Sequence, residues 1–226
     1  MKRLALVLAL CLSGAASAGP LSDLIMAEGV FADAGAGDVL QYSLSRNGSG
    51  DAAPALSALR LLVMEDKGTK FLLLDQEAGG TRSEIARFPA ASANPLLLYF
   101  LENIVRDMSQ ATGGNPFYIR NRIRAALIAA EAAPGADGRI TVTLEPFAAD
   151  PNRDRLGPFA GLRLQVSFDP AEPGRLLSLK ADTGAGPGGY SEEMILTGGN
   201  DAPPPCNRCF FAAAVCRPHS RRDAGQ

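Results

Sequence analysis

The stretch Asn94–Ala130 constrains the fold of this chain most, because it carries helix start and stop signals twice over. In both Asn94-Pro95 and Asn115-Pro116 a capping residue precedes a proline. Proline is favoured at the first helical position because the backbone N–H at that position would have no partner within the helix. Thr112–Gly114 lies between them, and a glycine in the left-handed conformation commonly ends a helix. The same phrase lacks the lysine pattern of a phosphate loop. The spacing therefore predicts two helices joined by a tight turn.

The first of these helices is apolar around almost its whole circumference. Such a helix is normally enclosed by other parts of the protein. Its apolar residues are Leu97, Leu98, Tyr99, Phe100, Leu101, Ile104, Val105 and Met108. The second helix has a narrower apolar stripe, which consists of Ile119, Ile123, Ala126, Leu127 and Ala130.

Segments with the alternation of half-buried strands flank the hairpin on both sides. They are Val39–Arg46, Arg60–Met64, Lys70–Asp75 and Arg82–Phe88 before it, and Arg139–Glu145, Leu162–Phe168, Arg175–Lys180 and Tyr190–Leu196 after it. Their short connections favour antiparallel pairing, and their alternation implies one buried and one solvated face. We therefore predict an α+β fold, a curved antiparallel sheet of about eight strands packed on a central helical hairpin. Gly19–Phe31 is expected to form a short amphipathic helix or cover segment, and Pro146–Pro158 a long polar loop.

The first eighteen residues have the layout of a secretory signal. Lys2 and Arg3 precede the apolar run Leu4–Leu12, and Ala16–Ala18 forms a small-x-small cleavage site. A buried first helix, or lipidation at Cys11, are the alternatives. No later segment approaches the roughly 20 apolar residues of a membrane span. We expect a periplasmic or secreted, soluble protein with a signal at 1–18, one domain at 19–199 and a flexible tail at 200–226.

The tail holds three cysteines and the single histidine of the chain, Cys206, Cys209, Cys216 and His219. In a reducing compartment this spacing would suggest zinc. After export, a disulfide with one remaining thiol is favoured instead. A tail without a role is the third alternative.

The scarcity of histidine excludes several kinds of site. Ser-His-Asp and Cys-His nucleophile systems and multi-histidine metal sites all need a positioned imidazole. A carboxylate pair or a Ser-Lys dyad would remain, but no spacing singles out a pair, and we read the acids Glu102, Asp107, Asp150 and Asp154 as surface residues. Without Lys2 and Arg3, 20 basic residues face 24 acidic ones, a net charge near −4, so no nucleic-acid partner is expected. We expect neither an enzyme nor a cofactor.

The order of elements from about residue 38 to residue 197, together with export, resembles the open half-barrel of periplasmic lipoprotein carriers. The phrase TGGNPFYIRNRIR also resembles uncharacterised exported bacterial envelope proteins. In the carrier family an apolar cavity between sheet and helices holds lipid, and the resemblance implies a similar cavity here.

These expectations define a candidate ligand site between sheet and hairpin. On the hairpin side its residues are Leu98, Tyr99, Leu101, Ile104 and Val105, and on the sheet side Tyr42, Leu164 and Phe168. Tyr118, Arg120 and Arg124 could hold an anionic headgroup, because a guanidinium binds such groups with two donors. The alternative for these arginines is a solvated face or ion pairs with Glu102 and Asp107. The sequence thus predicts an exported carrier of a lipid or other apolar ligand. The alternative is an assembly factor with a packed core that binds an envelope protein.

Overall fold

The computed structural model describes residues 19–48, 55–172, 174–184, 186 and 188–199. The predicted signal and the cysteine tail lie outside the described residues. The strands, in chain order, are β1 Gly19–Pro20, β2 Val39–Asn47, β3 Ala55–Asp66, β4 Thr69–Ala78, β5 Thr81–Pro89, β6 Glu131–Ala132, β7 Ile140–Leu144, β8 Arg163–Phe168, β9 Leu176–Asp182 and β10 Ser191–Gly198. The α-helices are α1 Leu21–Ile25, α2 Pro95–Thr112 and α3 Pro116–Ala129.

Eight of the strands form one open antiparallel sheet in the order β5-β4-β3-β2-β10-β9-β8-β7. Each half of the chain supplies a four-stranded meander, and the first strand of one meander pairs with the last strand of the other, β2 with β10. The two-residue strands β1 and β6 pair separately. The prediction of an α+β fold with a curved antiparallel sheet of about eight strands is confirmed.

Strand β3 is longer than its sequence pattern indicated. We expected it to begin at Arg60, but it begins at Ala55, which pairs with Arg46 of β2. The additional paired residues, 55–59, include Leu59, which lies opposite Tyr42. Both of these side chains are buried. Pairing with the neighbouring strand therefore extends β3 through a segment whose own alternation is weak.

The caps of the hairpin follow the predicted signals. The side chain of Asn94 accepts a hydrogen bond from the backbone N–H of Leu96, and that of Asn115 accepts one from Phe117. Gly113 ends α2 in the left-handed conformation, with φ of 66°. Because an L side chain is strained at this φ, glycine is the favoured residue there. The turn is thus two helix caps in succession.

The core lies between the hairpin and one face of the sheet. It consists of alternate residues of the strands together with the inner side of α2, including Leu97, Phe100 and Ile104, each at most 1% exposed. The short helix α1 adds Leu21 and Ile25, both buried, which agrees with the short amphipathic helix predicted within Gly19–Phe31. No helix in the described residues is long and apolar enough to cross a membrane.

The connection between β7 and β8 is less polar and more ordered than expected. It contains two short 3₁₀-helices, Arg153–Arg155 and Gly157–Gly161. Phe147, Leu156 and Phe159 of this connection are all buried. Burial of these three apolar side chains thus fixes a connection that the many polar residues of the sequence had indicated to be a polar loop.

Candidate functional site

The residues predicted for a ligand site on α2 lie in or against the core. Ile104 and Val105 are buried, whereas Leu98, Tyr99 and Leu101 are half-buried. The predicted sheet-side residues Tyr42, Leu164 and Phe168 are buried in the same cluster. None of these residues lines any of the three main pockets found among the described residues.

The predicted anion site is not assembled around Arg120. Its guanidinium donates two hydrogen bonds to Glu102, at 2.7 and 2.8 Å, so the ion-pair alternative holds for this residue. These bonds hold the pKa of Glu102 below its usual range. Arg124 is exposed one turn further along α3, and Asp107 pairs with Arg46 of β2 at 2.7 Å.

Tyr118 faces a different partner, the loop after β7. Its hydroxyl lies 2.8 Å from both carboxylate oxygens of Asp150, and Asn152 donates a hydrogen bond to that hydroxyl. Arg122 Nε lies 2.8 Å from Asp150 Oδ2, as an ion pair whose angle is not that of an aligned hydrogen bond. Asp150 is therefore buried and partnered, and its assignment as a surface acid was wrong. Its four-residue cluster fastens the β7–β8 connection to α3.

A second buried polar cluster was not anticipated from the sequence. We call it the Glu192 network: Glu192, Tyr190, Asn103, Arg46 and Asp107. Asn103 of α2 donates to Glu192 Oε1 at 2.9 Å, and the Tyr190 hydroxyl donates to Oε2 at 2.5 Å. Arg46 Nε lies 3.4 Å from Oε2. The network ties α2 to the centre of the sheet, where β2 and β10 meet.

Burial determines the electrostatics of this network. It raises the pKa of the Glu192 carboxyl, although Tyr190, Asn103 and Arg46 oppose the rise. Burial, followed by the charge of Glu192, raises the pKa of Tyr190. Glu192 is 0% exposed, so a substrate has no access to its carboxylate. The one available signal was its position on the same alternating face as Met194, which indicated that it points inward.

The largest of the three pockets lies at one end of the sheet, and we call it the end pocket. Its volume is about 480 Å³, within the usual range for small-molecule sites. It lies where β2 begins, β3 and β10 end and the β8–β9 turn closes. Its lining residues are Val30, Phe31, Ala34, Asp38, Val39, Leu40, Leu61, Val63, Ala171, Glu172, Gly174, Arg175 and Gly199.

An irregular segment, residues 26–38, covers the end pocket, and we call it the cover segment. Lys70 of β4 donates hydrogen bonds to the carbonyls of Ala32 and Ala34, at 3.2 and 2.8 Å. Backbone bonds join Gly29 to Ala91 and Gly37 to Val63. The cover segment is thus held at several points along its length, without helical packing against the sheet.

The β8–β9 turn forms the opposite wall of the end pocket. A Cβ atom on Gly174 would lie 3.1 Å from the Phe31 ring and 3.3 Å from the Val30 carbonyl, so glycine allows this close approach. The Gly174 carbonyl accepts a hydrogen bond from Asn94, the N-cap of α2. The start of the hairpin is therefore fixed to the wall of the pocket.

Two other pockets of the described residues are smaller and have more polar linings. One, of about 170 Å³, lies beside Glu145, Arg153 and Arg163. The other, of about 450 Å³, lies beside Lys180, Asp182 and the glycines that precede β10. Apolar side chains are scarce in both, in contrast to the end pocket.

The candidate metal ligands of the tail lie outside the described residues. Within the described residues, His, Cys, Asp and Glu side chains form no group of three or more that could hold a metal ion. Neither a protein-family model nor a curated protein matches this chain.

Proposed function

We propose that this protein is an exported binding or carrier protein of the bacterial envelope that holds an apolar ligand in the end pocket. The observation that carries the proposal is the composition of the pocket wall. The space is lined by Phe31, Leu40, Leu61 and Val63, which belong to the hydrophobic core or pack against it. Apolar walls with a few polar groups at the rim are typical of small-molecule sites.

The location differs from the site that the sequence suggested. Between hairpin and sheet, Ile104 and Val105 are buried in the core and line none of the three pockets of the described residues. At the end pocket, the same inner face of β2 and β3 continues under the cover segment. A ligand there would supply van der Waals contacts to the strands that the irregular segment does not make.

Binding of a neutral apolar dye, N-phenyl-1-naphthylamine, tests the proposal. Ala34 lines the pocket, whereas Ala36, two residues on, is exposed. Ala34→Trp fills the pocket and should weaken dye binding at least about 10-fold, whereas Ala36→Trp should leave it within about 2-fold of the wild type. Thermal unfolding should show that both variants fold. Equal dye affinity for the two variants would refute the proposal.

A second test needs no chosen ligand. Native mass spectrometry of protein purified from the periplasm should reveal a bound mass of lipid size. The same measurement on Ala34→Trp should show that the bound mass is lost or reduced. A wild-type protein free of any such mass would count against the carrier proposal.

One observation favours the alternative of an assembly factor. Phe117 and Ile128 of α3 are 71% and 53% exposed, and their separation of eleven residues places them on one side of the helix. Arg124 lies between them on the same side. Exposed apolar residues grouped in this way can mark a protein contact. The alternative predicts a co-purifying mass of protein size, which Phe117→Asp with Ile128→Asp removes while Ala34→Trp does not.

A further inference from the structure

The outward side of α3 carries a narrow line of exposed residues. We call it the α3 stripe: Phe117, Asn121, Arg124 and Ile128. Their spacing of four, three and four residues places them within about 60° of the helix circumference. The same spacing is typical of the seam along which two helices pack side by side. Phe117 and Ile128, at its two ends, are the exposed large hydrophobic residues of this helix.

The two central residues of the α3 stripe have unused hydrogen-bonding groups. Within the described part of the chain, neither the Asn121 amide nor the Arg124 guanidinium makes a side-chain hydrogen bond or an ion pair. Arg120 and Arg122, by contrast, each pair with a carboxylate. A polar group that loses its water needs a new partner. Whatever covers the α3 stripe must therefore supply an acceptor for Arg124 as well as apolar contacts for the two ends.

Phe117 is held in position although it is exposed. The guanidinium carbon of Arg120 lies 5.5 Å from the centroid of its ring. Arg120 is itself fixed by two hydrogen bonds to Glu102. A side chain that is already ordered loses less conformational freedom when a partner binds. Phe117 is thus suited to anchor a protein contact, in which aromatic residues are enriched.

A second copy of the same helix meets both requirements. When two copies of α3 lie antiparallel about a two-fold axis between residues 122 and 123, Phe117 lies opposite Ile128 of the second copy. The same axis places Asn121 opposite Arg124 of the second copy, where the amide oxygen can accept a hydrogen bond from the guanidinium. Each contact then occurs twice, as two-fold symmetry requires. The α3 stripe is therefore complementary to itself.

We propose that α3 is the contact surface of a homodimer in which the α3 stripes of two copies pack antiparallel. The proposal goes beyond the end pocket and does not depend on it, because no residue of the α3 stripe lines that pocket. A helix of 14 residues is about 21 Å long. A single pair of such helices buries less area than a standard protein interface, so the dissociation constant should be on the order of 10–100 μM.

The charges favour a second copy over an anionic membrane surface. Attachment to such a surface normally uses a cluster of basic residues. Arg124 is the one arginine of α3 that has no carboxylate partner within the described residues. The whole chain has 24 acidic residues against 22 basic ones. The neutral amide of Asn121 in a second copy offers Arg124 an acceptor without any need for an anionic partner.

Sedimentation velocity of the full chain purified from the periplasm, at about 1–500 μM and with a reducing agent to keep the tail cysteines apart, tests the proposal. The wild type should pass from monomer to dimer over this range. Phe117→Lys and Ile128→Glu should each weaken dimerisation at least about 10-fold, because each places a charge against an apolar side chain. Both positions are exposed, and thermal unfolding should show that both variants fold.

Leu56→Lys is the matched control. Leu56 of β3 is 69% exposed, close to the value for Phe117, and lies outside the α3 stripe. The same change from an exposed apolar side chain to lysine should therefore leave the dissociation constant within about 2-fold of the wild type.

An equimolar mixture of Phe117→Lys and Ile128→Glu tests the antiparallel arrangement. In a mixed dimer the introduced ammonium faces the introduced carboxylate at one end, and the native contact between Phe117 and Ile128 remains at the other. The mixture should associate at least about 5-fold more tightly than either variant alone. In a parallel pair the two substituted positions would lie at opposite ends, and mixing would restore nothing.

A dimer that both variants weaken, that Leu56→Lys retains and that mixing restores supports the proposal. A wild type that stays monomeric at about 500 μM, or a mixture no tighter than its components, would overturn it. Two other occupants of the α3 stripe would also overturn it. One is a phosphatidylglycerol vesicle that binds the monomer and is lost in Arg124→Gln, and the other is a different protein that binds the monomer and is lost in Phe117→Lys.

Discussion

The inner face of one sheet is covered in two different ways along its length. Over most of the face, the helical hairpin covers it, and side chains such as Phe100 and Ile104 are buried against the strands. At the end where β2 begins, the cover segment takes over, and a space of about 480 Å³ remains. The strands present the same alternation of apolar residues in both regions, so the two regions differ mainly in what covers the strands.

The contrast illustrates a physical difference between regular and irregular covers. A helix presents side chains at fixed spacing, and its ridges fit between those of the neighbouring layer, so little volume is left. An irregular segment must first satisfy its own backbone groups. Here the backbone of the cover segment bonds to the Lys70 side chain and to the carbonyls of Ala91 and Val63. Space for a ligand follows from the lack of regular structure.

Removal of one phenyl ring from each region should expose the contrast most strongly. Phe100→Ala creates a cavity in the closed region and should reduce the free energy of unfolding by about 3–5 kcal/mol. Phe31→Ala enlarges a space that already exists, and we expect a loss of about 1–2 kcal/mol. Urea unfolding followed by circular dichroism measures both. Equal losses would show that the end pocket is packed as tightly as the core.

The Glu192 network should make the closed region sensitive to pH. Burial raises the pKa of Glu192 in the folded protein. A carboxyl that binds its proton more tightly when folded stabilises the fold fully below its unfolded pKa, and this stabilisation is lost as the pH rises through the folded pKa. The hydrogen bonds from Tyr190 and Asn103 and the charge of Arg46 oppose this rise of the pKa, whereas the charge of Asp107 adds to it.

Glu192→Gln cannot ionise, so its stability relative to wild type should rise as the pH is raised from about 4 to about 8. Free energies of unfolding across that range measure the trend. Glu193→Gln, on the opposite face of β10, is the control and should show no such trend of comparable size. A relative stability of Glu192→Gln that falls with pH would mean that the carboxylate is favoured in the folded state.

The smallest expected effect concerns the attachment of the cover segment. Lys70→Met removes two hydrogen bonds to the Ala32 and Ala34 carbonyls and should lower global stability by only about 1 kcal/mol. Amide hydrogen exchange across residues 26–38 should nevertheless accelerate, while exchange in α2 stays unchanged. Lys180→Met, an exposed lysine elsewhere, serves as the control. Unchanged exchange in the cover segment would show that its backbone bonds alone hold it.

The parts of the fold that could be predicted are those with local signals. The caps at Asn94 and Asn115 and the alternation in β8 depend on residues close in sequence, and the structure shows them where the sequence indicated. The buried position of Asp150 depends on Tyr118 and Arg122, about thirty residues away, and no local pattern reports such a distance. Glu192 is similar, because Asn103 lies 89 residues from it.

The candidate site was harder to predict for the same reason. The end pocket combines the starts and ends of five strands with the cover segment, and only the sheet order brings them together. The apolar circumference of α2 correctly indicated enclosure, but enclosure by itself does not distinguish a packed helix from the wall of a pocket. Arg175 was predicted only as part of a strand, because its position in the lining of the end pocket is visible only in three dimensions.

A titration of ¹⁵N-labelled protein with N-phenyl-1-naphthylamine, followed by amide chemical shifts, tests the central claim most directly. We expect the largest shifts at the end pocket, in residues 30–40, 61–63, 171–172 and 174–175, with small shifts in α2. Largest shifts at Leu98, Tyr99 and Leu101 of α2 would place the ligand between hairpin and sheet and contradict binding at the end pocket.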